Sequence, residues 1–371
     1  MKLICSKSNL LYGVNIVSKA VPTRTTMSIL ECILIDASAS EIKLTANDME
    51  LGIETKIEGE IVERGVIALD AKIFSEIVRK LPDSDVVIET DASFKTTITC
   101  EKAKFNIIGK SGEDFSGIPY IERNEPIVIS QFTLKEVIRQ TIFSIADNDT
   151  NKLMTGELFE INDNQLKVVS LDGHRISIRN IELKNSYDFK KVVVPGKTLQ
   201  EVSKILPGNT EDEVEIFLTK NHIVFVFDET TVVSRLIEGE YFKIEQMISS
   251  DYETKIQINK RELLSCIDRA TLLVKEGDKK PIIMNITDEV MELKINSFIG
   301  SMNEEIGIEK EGSDILIGFN PKFFIDALRV IDEESITIYM VNPKAPCYIR
   351  DDDGNFIYLI LPVNFNASAN G

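Results

Sequence analysis

The chain has no tryptophan, only two histidines, no two cysteines at metal or redox spacing, and no apolar run long enough to span a membrane. Each shortage excludes something. A zinc site needs three or four well-spaced ligands, and neither His174 nor His222 has a Cys or a second His nearby, so no metal is expected. Five cysteines (Cys5, Cys32, Cys100, Cys266, Cys347) are odd in number, scattered and free of CxxC, which reads as buried reduced thiols rather than a disulfide framework. No helix-turn-helix, zinc-finger or RNA-binding aromatic motif is present, so base edges have no reader and phosphate contact is what remains for any nucleic acid. The opening MKLICSKSNLLYG is interrupted by Ser and Asn and is followed by no small-residue cleavage site. That predicts no signal peptide and a cytoplasmic protein, with no membrane partner.

Look-alikes of cofactor sites fail on spacing. Gly109-Lys110-Ser111 resembles the end of a phosphate loop, but Lys104 stands where the pattern needs its first glycine. Asp351-Asp352-Asp353-Gly354 is acidic enough for calcium, but Ile349 holds the place of the first acid. It reads instead as a two-residue Asp-Gly hairpin turn between CYIR and FIYLILPV. No cofactor is expected.

What is present is a repeat. Lys72, Lys197 and Lys322 lie 125 residues apart, and each opens an amphipathic helix after a turn residue: DAKIFSEIVRKLP, PGKTLQEVSKILP and NPKFFIDALRVID. Arg79, Lys204 and Arg329 follow seven positions later, two turns along the same face. An earlier helix recurs at SKSNLLYGVNIVSKA, FTLKEVIRQTIFSIA and NKRELLSCIDRATLLV. Alternating strands follow the second helix at DVVIET, EVEIFLTK and SITIYMVN. A period of this length is that of a whole domain rather than a solenoid repeat. The fold class expected is α+β, three repeated domains of two helices and antiparallel sheets. No Gly-, Ser- or Pro-rich linker marks the joints, so the repeat places them, at 1–125, 126–251 and 252–371.

The formal net charge is −18, yet the six predicted helices sum to +7 and the remainder to −25. If the helices share one surface, a mildly basic face on an acidic body suits a polyanion held loosely, because the body repels it. Exposed Lys and Arg on solvated helix faces are common in any protein; the threefold repetition is what singles these out.

The TANDMEL turn of the first unit, SLDGHRIS and LIEGEYF of the second, and the C-terminal LILPV, in this order across three units, resemble the bacterial DNA polymerase III beta subunits, the sliding clamps. The resemblance covers the whole chain. It implies a non-enzymatic processivity factor: a ring-forming homodimer of six domains, helices lining the hole, loaded onto double-stranded DNA by an ATP-driven clamp loader complex. Size agrees, since three compact domains of about 14 Å radius of gyration enclose a hole of about 5 Å and six enclose about 35 Å.

The resemblance implies a pocket for a short peptide of the DNA polymerase III catalytic subunit and other clamp-binding-motif proteins. Carried over, it comprises Met154, Leu171, Gly173, His174, Arg175, Ile176, Phe242, Gln246, Met247, Pro346, Leu359, Ile360, Leu361, Pro362 and Val363. Phe242 departs from the family's proline, Gln246 from the Arg of some relatives, and Val363-Asn364 from Met-Arg. For DNA it implies Arg24 and Asn148, with Lys72, Arg79, Lys135, Arg139, Lys197, Lys204, Arg269, Lys322 and Arg329 as wider candidates. For the subunit interface it sets Phe105 and Ile107 against Leu272 and Leu273; ordinary core burial of all four is the competing expectation. Two other readings are an enzyme centred on Asp172 and His174, and a repeat scaffold.

Overall fold

Side-chain caps start most of the helices. In a computed structural model that describes residues 1–147, 150–274 and 280–365, the helices are α1 Lys7–Val17, α2 Ala71–Lys80, α3 Gln131–Thr141, α4 Gly196–Ile205, α5 Lys260–Thr271 and α6 Pro321–Val330. Ser6 accepts from Asn9 N before α1 and Asp70 from Ile73 N before α2. Asn259 accepts from Arg261 N and Glu262 N before α5. Asn320 accepts from Lys322 N before α6, with Pro321 at the first helical position, where its missing N–H costs nothing. The buried stripes follow helical spacing: Phe74, Ile77 and Val78 on α2, and Phe324, Ala327 and Leu328 on α6.

The three strands predicted after the second helices form at Asp85–Thr90, Glu213–Leu218 and Ser335–Met340. In the first, Val86 and Ile88 are fully buried while Asp85 and Glu89 are exposed, the alternation of a half-covered sheet.

Four antiparallel sheets are built from these strands and the others. The chain divides into two compact units, one formed by Met1–Lys135 with Lys197–Leu236, the other by Glu136–Gly196 with the chain from Ile237 onward. The middle repeat is shared because its sheets continue into its neighbours. Thr230–Arg235 pairs with Leu51–Ile57, Val232 opposite Ile53, inside a nine-stranded sheet. Arg175–Pro195 pairs with Phe356–Ile360, Ile176 opposite Leu359, inside a seven-stranded sheet.

In the first unit α1 packs beside α2 and crosses the nine-stranded sheet at Gly13, where a Cβ would stand 2.6 Å from Ile57 and 2.8 Å from Leu44. In the second unit α5 packs beside α6 over a core that includes Leu263, Ile267, Met284, Ile317, Phe319 and Phe324. All five cysteines are buried and unpaired, and burial pushes the Cys5 and Cys266 thiols up to about 12.

One turn expectation needs correction. The link from Cys347–Arg350 to Phe356–Ile360 is not a two-residue turn. Asp351 accepts from Phe356 N at 3.1 Å and from Asn355 Nδ2 at 2.7 Å, so the acid braces a longer loop. His222 starts a strand that lies inside the nine-stranded sheet, flanked on both sides, and is itself half-buried.

Candidate functional site

The long strands Gly156–Leu171 and Arg175–Pro195 are joined by the turn Asp172-Gly173-His174. Gly173 takes φ +83, a left-handed conformation that glycine adopts without strain. Asp172 Oδ1 accepts from His174 N at 2.9 Å and Arg175 N at 3.1 Å, which fixes the turn and presents His174 outward. On the far side, Leu361 N donates to His174 O at 2.8 Å and ties the end of the last strand to the turn.

Between these segments lies a cavity of about 300 Å³ lined by Met154, Leu171, Gly173, His174, Arg175, Ile176, Phe242, Met247, Pro346, Leu359 and Leu361. It is walled almost wholly by apolar side chains, with an adaptable methionine on each of two segments, a surface suited to receiving apolar side chains of a ligand. Phe242 stands edge-on to Tyr241, ring centroids 5.4 Å apart. Tyr241 is buried with Glu157 close by, and both effects hold its phenol protonated well above the ordinary range.

Four of the residues expected in this site lie outside its wall. Ile360 alternates with Leu359 along the last strand and so faces the opposite core, beside Ile349 and Phe356. Gln246, in the short 3₁₀ turn Ile244–Gln246, is exposed. Pro362 is half-buried beyond the cavity, and Val363 is led away by its N–H, which donates to Gly318 O at 2.9 Å.

Arg175 lines the cavity without offering it free hydrogen-bonding power. Its Nε donates to Asp172 Oδ2 at 3.0 Å and its Nη1 to Asp326 Oδ2 at 2.7 Å, while Nη2 donates to Phe143 O. The guanidinium carbon lies 4.6 Å from the Phe323 ring centroid and 5.4 Å from that of Phe143. His174 stacks on Phe323 at 6.0 Å and 21°. Asp172 therefore directs its oxygens to backbone N–H groups and Arg175, and the expectation of an Asp172–His174 acid–base pair finds no such hydrogen bond. No group of three or more potential metal ligands occurs among the described residues.

The basic repeat positions are mostly engaged by acids. Arg79 pairs with Glu76 at 2.5 Å, Lys204 with Glu201 at 2.8 Å, and Arg329 with Asp268 at 3.5 Å. Arg139 meets Glu136 and Asp332, Lys197 meets Asp48, Arg269 meets Glu304, and Lys135 donates to Leu206 O at 3.0 Å. Arg24, Lys72 and Lys322 are exposed and make no ion pair among the described residues. Asn148 lies outside the described residues.

Core burial of the four interface candidates does not occur. Ala103–Ile108 is the free edge of the five-stranded sheet, with Phe105 exposed, Ile107 half-buried and Ile108 83% exposed. In the other unit Leu272 is 78% exposed and Leu273 half-buried just past α5. The hairpin leading into the edge strand Gly300–Gly307 exposes Phe298 (94%) and Ile299. Bare apolar side chains on or beside a free sheet edge, as Phe105, Ile108, Phe298 and Ile299 are, call for a covering partner.

Residues 1–119, 128–243 and 245–364 match in turn the N-terminal, central and C-terminal domains of the DNA polymerase III beta subunit. The chain belongs to this family of sliding clamps. It is 35% identical over 356 residues to the beta sliding clamp of Staphylococcus aureus, covering 93% of this chain and 94% of that one. The crystal structure of the Bacillus subtilis sliding clamp superposes with a TM-score of 0.94 at 35% identity, over 99% of this chain and 100% of that one. A structure from Eubacterium rectale, described as a candidate DNA polymerase III beta subunit, is 82% identical with a TM-score of 0.96, over 98% and 100% of the two chains.

As a sliding clamp the chain is a non-catalytic factor of DNA replication, made of three clamp-type domains with two helices each. No helix among the described residues is long and apolar enough to cross a membrane. Phe143, Phe323 and Asp326, which hold the clamp's pocket turn in place, escape a reading by sequence. Phe323 and Asp326 sit one turn apart in KFFIDALRV, a spacing that marks a shared face but not what that face meets.

Proposed function

We propose that two copies of this clamp close into a ring around double-stranded DNA and hold partner proteins on it. The DNA polymerase III catalytic subunit and other proteins with a clamp-binding motif insert apolar side chains into the cavity beneath His174. A clamp loader complex opens the ring in the cytoplasm at the expense of ATP. The proposed domains are 1–125, 126–251 and 252–371. The proposed subunit contact lays the Ala103–Ile108 edge of one chain on the Gly300–Gly307 edge of the other, covering Phe105, Ile107, Leu272 and Leu273.

The observation that carries this reading is the cavity. Eleven residues from five separate stretches of chain converge on one apolar hollow. Phe105 and Ile108 exposed on one free sheet edge, and Phe298 and Ile299 exposed beside another, support the second half of the proposal. Arg24, Lys72 and Lys322 supply sequence-blind contacts to phosphate on an otherwise acidic body, so DNA is held by linkage more than by affinity.

The test is retention on circular against linearised duplex DNA after loading by a bacterial clamp loader with ATP. Retention on circles and loss from linear molecules is expected. Equal retention on both would mean ordinary binding and end the ring proposal.

A further inference from the structure

We infer that Asp326 of α6 is a positioning residue for the peptide cavity, holding His174 in its docking orientation through Arg175 and Phe323. The inference rests on the cavity's being a docking site, as proposed above. Asp326 touches no cavity space itself. It binds Arg175 Nη1 at 2.7 Å, and the same guanidinium binds Asp172, whose other oxygen shapes the turn that carries His174. One turn earlier on α6, Phe323 lies under both the guanidinium and the imidazole, 4.6 Å and 6.0 Å away. Arg175 is only 6% exposed, so water cannot replace a lost carboxylate easily. A buried guanidinium deprived of one partner re-aims toward the others and draws the turn with it. The helix that carries the unpaired Lys322 therefore also sets the geometry of the cavity wall.

The chain's two histidines make the test direct, because its imidazole Cε1–Hε1 NMR spectrum holds only the signals of His174 and His222. Asp326→Ala is expected to move the His174 signal out of the Phe323 ring-current field and leave His222 in place. It is also expected to weaken binding of a fluorescein-labelled Ser-Leu-Ser-Leu-Phe peptide about tenfold, the loss of one charge-assisted hydrogen bond. Asp326→Asn, which keeps an acceptor for Nη1, is expected to restore most of both. An unmoved His174 signal, or unchanged affinity in Asp326→Ala, overturns the inference. Movement of both histidine signals would mark general loosening and overturn it as well. If the wild-type chain fails to bind the peptide while Asp326→Ala still moves His174 alone, the docking proposal fails and the positioning of His174 by α6 stands.

Discussion

Asp48 and Asp172 close the same kind of turn in successive repeats. Asp48 Oδ1 accepts from Glu50 N at 3.0 Å and Leu51 N at 2.7 Å; Asp172 Oδ1 accepts from His174 N at 2.9 Å and Arg175 N at 3.1 Å. The residue after each aspartate is left-handed, Met49 at φ 76 and Gly173 at φ 83. Only the second is a glycine, so the first turn carries strain that the second avoids.

Met49→Gly is accordingly expected to stabilise the chain by about 1 kcal/mol, and Gly173→Ala to destabilise it by about as much. Met49 is 53% exposed and gives up little packing, and a Cβ at residue 173 meets nothing within 4 Å, so both effects are those of the backbone alone. Urea midpoints followed by circular dichroism check this, since no tryptophan is available as a reporter. Opposite signs are expected; a common sign would mean that contacts, not φ, dominate.

Glu157 makes stability depend on pH. It is fully buried in the second unit, neither carboxyl oxygen has a hydrogen-bond partner, and burial pushes it from 4.5 up to about 8. The nearby Thr141 hydroxyl, already donated to Val137 O at 2.7 Å, offsets little of this. Below pH 4.5 folded and unfolded chains both hold the proton and nothing is lost. Between pH 4.5 and 8 the unfolded chain ionises while the folded chain keeps its proton, so stability falls, and above 8 the loss levels off. The full loss is about 5 kcal/mol. Glu157→Gln removes the titration, so its melting temperature is expected to gain on the wild type steadily from pH 5 to pH 8.5. A constant gap across that range would show that Glu157 ionises normally in the fold.

How far the sequence could be read follows the range of the interactions. The helices are legible because Asp70, Asn259 and Asn320 cap their own neighbours and the apolar spacing is local. The pocket turn is legible because SLDGHRIS and TANDMEL can be compared within one chain. The exclusion of Ile360 from the cavity was within reach, since strand alternation sends it opposite to Leu359. The engagement of Arg175 was not, because Asp326 lies 151 residues away and nothing local couples them. Strand order is equally long-range, so no local pattern tells that Ala103–Ile108 is a free edge or that the middle repeat divides between two units.

The proposed subunit contact predicts concentration-dependent loss of the dimer. Leu272 is 78% exposed in the single chain, and covering a leucine is worth about 1.5–3 kcal/mol. Leu272→Ala and Phe105→Ala are each expected to weaken dimerisation about ten- to hundredfold in sedimentation velocity. Their melting curves at concentrations where only monomer is present should match the wild type. A dimer constant unchanged in both variants would move the contact elsewhere on the chain.

The ion pairs divide the basic helix positions into two classes that salt can separate. Lys72 and Lys322 are exposed and unpaired, whereas Arg79 and Lys204 are already held by Glu76 and Glu201 one turn away. A phosphate contact made by an unpaired lysine releases about one counterion, while a paired side chain must first give up its carboxylate. Lys72→Ala and Lys322→Ala are therefore expected each to lower the slope of log affinity for duplex DNA against log salt by about 1. Arg79→Ala and Lys204→Ala should change it by much less. The measurement is a fluorescence anisotropy titration on a short duplex at four salt concentrations. Equal slopes for all four variants would mean that the carboxylates yield to DNA, and that the whole repeated row, paired and unpaired alike, faces the duplex.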